Sequence, residues 1–212
     1  MKLCASANNK ELLLEAIQYT QEKLTNATLS RIPFDHYVIK DFLHPIIFER
    51  FSNFENSPHD AEKKLTHGGS RIAIDLLSGD ASPFNKAKED TIIFDFFKGI
   101  EFQVQMMNFM RQHIKKSWVK WDILECFPEA LYIKDNSNFS LKPHTDVPQK
   151  LVTCLIYGKT YDANFDAGTT LFSLIQDTSN KFNRKKNLLK SDQNHFEKFK
   201  AVKTIAYEPN TA

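Results

Sequence analysis

His144 and Asp146 stand two residues apart in the stretch Pro143-His144-Thr145-Asp146. An imidazole and a carboxylate both ligate divalent cations, and residues two apart on extended backbone point to the same side. Such a pair supplies two of the three protein ligands in the 2-His-1-carboxylate arrangement that holds non-haem Fe(II). The bare spacing is common, and Asp146 capping a turn beside a surface His144 would produce it without any metal. Its surroundings are more particular. Pro143 fixes the approach to His144. A turn follows Asp146, then Lys150, then an alternating run in which Thr153, Leu155 and Tyr157 share a face. An earlier strand pattern carries Tyr132.

The elements that position these residues are readable from periodicity. Leu13, Ile17 and Leu24 recur at helical spacing with Leu14 and Ala16 beside them, which predicts a helix over 9–25, capped by Asn8 or Asn9. The segment 34–40 alternates and reads as a strand. Asp41-Phe42-Leu43-His44-Pro45 opens a helix reaching to about Phe51, with Pro45 in its first turn. Residues 55–90 are punctuated by Pro58, Gly68-Gly69, Gly79 and Pro83 and predict loops with one short strand, Arg71 to Leu77. Ile92, Phe96, Ile100, Val104, Met107, Met110 and Ile114 form one apolar stripe, so 91–117 reads as a single long amphipathic helix packed by its Met and Phe side chains. After Trp121 the period changes. Ala130 to Lys134, Leu151 to Tyr157, Thr169 to Ser173 and Ala201 to Tyr207 read as strands, with turn-rich stretches at 135–138 and 161–164. Helices first and antiparallel strands second predict an α+β chain with a jelly roll in its second half.

Bulk properties narrow the function classes. With 212 residues there is room for one medium domain with a real core. A net charge of +2 gives no nucleic-acid surface, and Arg184-Lys185-Lys186 reads as a solvated loop. Eighteen Phe fit a core of strands and aromatic packing. Cys4, Cys126 and Cys154 are widely spaced and odd in number, which argues against a disulfide framework and for a reducing compartment. The first residues lack a signal-peptide core and no window approaches a membrane span, so a cytoplasmic protein without membrane or nucleic-acid partners is expected. A hydrolase is not indicated: there is no G-x-S-x-G, and His67-Gly68-Gly69-Ser70 reads as a loop.

Four stretches together resemble the 2-oxoglutarate/Fe(II)-dependent dioxygenases, on the prolyl-hydroxylase-like side. They are P-H-T-D at 143–146, K-L-V-T-C-L-I-Y at 150–157, A-G-T-T-L-F at 167–172 and I-P-F-D-H-Y-V-I-K-D-F-L at 32–43. The resemblance spans most of 32–212 and is specific at 143–157. It implies a double-stranded β-helix (jelly roll) with Fe(II) at its open end, preceded by a helical extension over 1–28. It implies His144 and Asp146 as catalytic iron ligands, and Tyr132 and Tyr157 as contacts for the cosubstrate 2-oxoglutarate. The alternative role of the two tyrosines is that of core aromatics with a bonded hydroxyl. Gly168 is read as structural, allowing a close strand crossing. The implied activity is that of a hydroxylase acting on a protein side chain or a small molecule.

The family pattern also asks for a second His and an Arg or Lys on late strands. The chain runs V-K-T-I-A-Y-E-P-N-T-A and stops at Ala212, before either. The expectation is therefore a piece of a longer protein, its last strands missing. His195 lies in a polar connection and reads as a loop histidine, and Lys203 falls on the wrong strand for the carboxylate partner. Two rival readings remain open from the residues. One is a catalytically inert jelly-roll or cupin-like binding module that keeps a partial metal site. The other is a metal enzyme on a similar barrel that uses no oxo acid.

Overall fold

The computed structural model describes residues 2–53, 64–66, 71–77, 91–114, 128–135, 141, 143–144, 150, 152–159, 167–175 and 199–212. The chain divides into two compact units: Met1–Asn26 with Asp41–Phe139, and Ala27–Lys40 with Ser140–Ala212. It mixes helices with antiparallel sheet, as the α+β expectation requires. No helix among the described residues is long and apolar enough to cross a membrane.

In the first unit, α1 (Lys2–Thr25) buries Ala16, Ile17, Thr20 and Leu24, one face at helical spacing. Thr20 is fully buried, and its hydroxyl donates to the Ala16 carbonyl at 3.0 Å, so the face carries no unpaired polar atom there. Leu14 lies off that face and is exposed. The helix runs through Asn8 and Asn9, so neither caps it. At its C-terminal end the Thr25 hydroxyl donates to Gln21 O, and both the backbone N–H and the side-chain amide of Asn26 donate to Glu22 O, which closes the last turn.

Helix α2 (Pro45–Asn53) begins on the proline, where the missing N–H costs nothing. It buries Ile47 and Phe51, one turn apart. The predicted long helix over 91–117 is instead two: α3 (Thr91–Lys98) and α4 (Ile100–Met110), followed by a 3₁₀ turn at Arg111–His113. Gly99 makes the break, with φ −56° and ψ 127°. Glycine is the weakest helix former after proline, and a Cβ here would meet the Asp95 carbonyl oxygen at 2.9 Å. The Gln103 amide turns back onto the Phe97 and Lys98 carbonyls at 3.3 and 3.2 Å, replacing bonds the break removes. The apolar stripe read as continuous therefore belongs to two cylinders, and Ile100 and Val104 end on the exposed side.

α3 is apolar almost all round. Ile92, Ile93, Phe94, Phe96 and Phe97 are buried, and α3 contacts α1, α2 and α4. Phe96, Phe97, Phe102 and Phe51 form an edge-to-face aromatic core with centroid spacings of 4.7 to 6.5 Å. The unit also holds an antiparallel sheet in the order β1 (Lys64–Thr66), β2 (Arg71–Asp75), β3 (Leu131–Asp135). β2 and β3 sit close to their predicted places, whereas the three-residue β1 is too short to leave a period in the sequence.

In the second unit, β4 (Gly168–Leu174) and β5 (Phe199–Ala206) pair antiparallel, from Gly168↔Ala206 to Leu174↔Phe199, with a bulge between Leu171 and Phe172. Two expected strands do not form as such. Over 34–40 the chain makes a single bridge, Ser30↔His36, and a reciprocal backbone pair between Ile39 and Ala212. Residues 152–159 carry no named strand; Tyr157 gives and takes backbone bonds, to Thr211 O and from Asn210 N, both at 2.9 Å. Alternating side chains make a segment strand-like, but a strand also needs a partner at every second residue. The sequence Glu208-Pro209-Asn210-Thr211 makes the turn that brings residues 210–212 to these partners. Thr211 N bonds Glu208 O at 3.2 Å, and Asn210 takes φ 59°, the type II pattern with Pro second and Asn third.

Gly168 is structural, as expected. A Cβ there would collide with the Ile205 carbonyl oxygen, with Ile205 C and Ala206 Cα at 3.1 and 3.3 Å behind it. Gly168→Ala is expected to destabilise the second unit by about 1–3 kcal/mol, because backbone rather than a mobile side chain must give way. Hydrogen exchange of the β4 and β5 amides reads this out; unchanged protection would refute the crossing argument.

Candidate functional site

His144 lies on irregular backbone after the bend at Pro143, and its residue is exposed. An imidazole in that position is reachable by a cation from solvent. Asp146 lies outside the described residues, as do His195, His67 and the Arg184-Lys185-Lys186 cluster. Among the described residues no group of three or more His, Cys, Asp or Glu converges on a point that could hold a metal.

The two tyrosines fall in different units. Tyr132 is on β3 opposite Ile74, and its ring meets Phe51 edge-on at 5.4 Å. Tyr157 is half-buried and stacks on Tyr207 with centroids 4.6 Å apart and planes at 17°. Its hydroxyl donates to Thr169 Oγ1 at 2.6 Å, while the Tyr207 hydroxyl donates to the Gly158 carbonyl at 3.0 Å. Tyr132 is thus packed as an aromatic, and the Tyr157 hydroxyl is bonded within the second unit. Tyr157 keeps acceptor lone pairs for a ligand, but its proton is committed to Thr169. Tyr157→Phe removes that one bond and is expected to cost about 1 kcal/mol, seen as a lower urea midpoint for the second unit. A loss of several kcal/mol would mean that the ring pair, not the hydroxyl bond, had been misjudged.

Cys154, in the same stretch, is a free and exposed cysteine. Desolvation by the surrounding protein pushes its thiol up to about 12. Exposure argues for a smaller rise than that, yet either value leaves the thiol protonated at neutral pH, so it is a poor nucleophile. Lys150 is exposed.

Two histidines that the sequence pattern did not single out have defined surroundings. His44, just ahead of α2, is buried: its Nε2 lies 3.6 Å from Glu15 Oε1, its ring meets Tyr19 edge-on at 5.4 Å, and its Nδ1 has no partner among the described residues. Glu15 is itself exposed, so this contact adds little beyond pinning α1 to the start of α2. His36, in the second unit, faces Lys203 of β5 with Nε2 and Nζ 3.4 Å apart. The two are 167 positions apart, so no local signal in the sequence could have joined them.

No family model, curated protein or solved structure matches the chain.

Proposed function

We propose that the chain is an Fe(II)- and 2-oxoglutarate-dependent dioxygenase, a hydroxylase of a protein side chain or small molecule, built on a double-stranded β-helix. The observation that carries this reading is Pro143-His144-Thr145-Asp146 followed directly by the alternating stretch Lys150–Tyr157. Support comes from the exposed imidazole of His144, from the antiparallel β4–β5 ladder that follows the motif, and from the close crossing at Gly168. His144 and Asp146 would hold Fe(II) on one side and leave its other positions to 2-oxoglutarate and oxygen. The bound metal would supply oxygen activation coupled to the conversion of 2-oxoglutarate to succinate and carbon dioxide. The chain's own part is to fix the metal, orient the oxo acid and limit water at the site. In this reading Tyr157 contacts 2-oxoglutarate through its oxygen lone pairs.

Anaerobic titration with Fe(II), with and without 2-oxoglutarate, followed by oxygen and a succinate assay, tests the proposal. Iron binding that tightens with 2-oxoglutarate, and succinate formed in the presence of oxygen, are expected. Iron uptake without succinate would instead identify a cupin-like binding module, and oxygen uptake indifferent to 2-oxoglutarate would identify a metal enzyme of another kind.

A further inference from the structure

A second site lies on one face of the β4–β5 ribbon. Strand alternation puts Thr169 and Leu171 on the same side of β4, and their direct partners Ile205 and Lys203 on that side of β5. Lys203 reaches His36, whose position is set three ways. The backbone of His36 is bridged to Ser30 by two bonds of 2.8 and 2.9 Å. Its Nδ1 lies 2.8 Å from the Phe34 carbonyl oxygen, and its ring meets Phe34 edge-on at 5.8 Å.

A carbonyl oxygen only accepts, so Nδ1 carries the proton and Nε2 presents its lone pair. That lone pair faces the Lys203 ammonium. The ammonium has three donors, of which this contact uses one. Among the described residues no carboxylate stands within ion-pair distance of Lys203. Among the described residues the cation is thus held by an imidazole and not by a carboxylate, which leaves its charge open to an anion. Thr169 adds a donor on the same face. Its oxygen accepts the Tyr157 proton, so its own O–H is free to point elsewhere.

We propose that His36 and Lys203, with Thr169 beside them, bind a small oxyanion: a carboxylate or a phosphate group. Lys203 supplies the charge, His36 orients the ammonium, and Thr169 bonds a neighbouring oxygen.

The test is an NMR titration of the whole chain with succinate and, separately, with inorganic phosphate, at constant ionic strength against chloride. The His36 ring resonances and the β4 and β5 amides are followed. Saturable shifts with at least one probe are expected. Succinate alone points to a carboxylate-bearing ligand, and phosphate alone to a phosphate-bearing one. Lys203→Gln, at an exposed position, should weaken binding about tenfold or more, since a hydrogen bond to a charged group is lost, whereas Lys203→Arg should retain it. Unchanged β4 and β5 amide spectra in the free Lys203→Gln variant confirm its fold. Shifts that do not saturate, that chloride reproduces, or that persist unaltered in Lys203→Gln overturn the proposal.

Discussion

In the full-length protein, His144→Ala is expected to abolish iron-dependent succinate formation and to weaken Fe(II) binding by more than about 100-fold. Loss of a group that merely orients a metal ligand typically costs about 10–100-fold in affinity or activity, and His144 is proposed as the ligand itself. Asp146→Ala should do the same for a further reason: it removes the one negative charge that the motif offers a dication. Lys150→Ala, four residues past Asp146 and exposed, should leave turnover intact and would show that the loss is specific. His144 is exposed, so its replacement opens no cavity in a core. Equilibrium competition with a chromophoric chelator measures the affinity, and a succinate assay measures turnover. Undiminished turnover in His144→Ala would end the dioxygenase reading, whatever happened to stability.

What the sequence disclosed follows from which interactions are local. α2 was legible because a proline at its first turn and a one-turn apolar spacing are features of neighbouring residues. Strands β4 and β5 were legible because alternation survives in each strand alone, and Gly168 because a missing side chain at the head of the Thr169–Ser173 run has few other uses. The failures have the opposite cause. The stripe over 91–117 keeps its period across Gly99, so only the backbone at that glycine shows two helices. The runs at 34–40 and 151–157 alternate like strands, but whether a strand forms depends on partners far along the chain, and Ile39 and Tyr157 find theirs at residues 210–212. The His36–Lys203 contact is invisible for the same reason. The metal motif is different again: its two residues are adjacent enough to be read together, while any further ligand must come from elsewhere in the chain, where spacing carries no information.

Phe96→Ala is expected to cost the first unit about 3–5 kcal/mol, the usual range for truncating a buried phenylalanine to alanine. Phe96 has no exposed surface, and its ring lies 5.2 Å from Phe97 and 4.7 Å from Phe102. Truncation therefore leaves a void whose lining comes from two helices. α3 and α4 are pinned at Gly99 by the bonds of Gln103, so they cannot easily slide together to close it. Domains of this size are stable by only about 5–15 kcal/mol, so one ring accounts for a large share of what holds α3 against its neighbours. The control is Phe34→Ala. That ring is 51% exposed, and its removal should cost well under 1 kcal/mol. Urea titration, read by hydrogen exchange at α3 and α4 amides, separates the two variants. Equal losses for Phe96→Ala and Phe34→Ala would mean that the aromatic cluster is not the core of this unit, and that burial at Phe96 does not translate into stability.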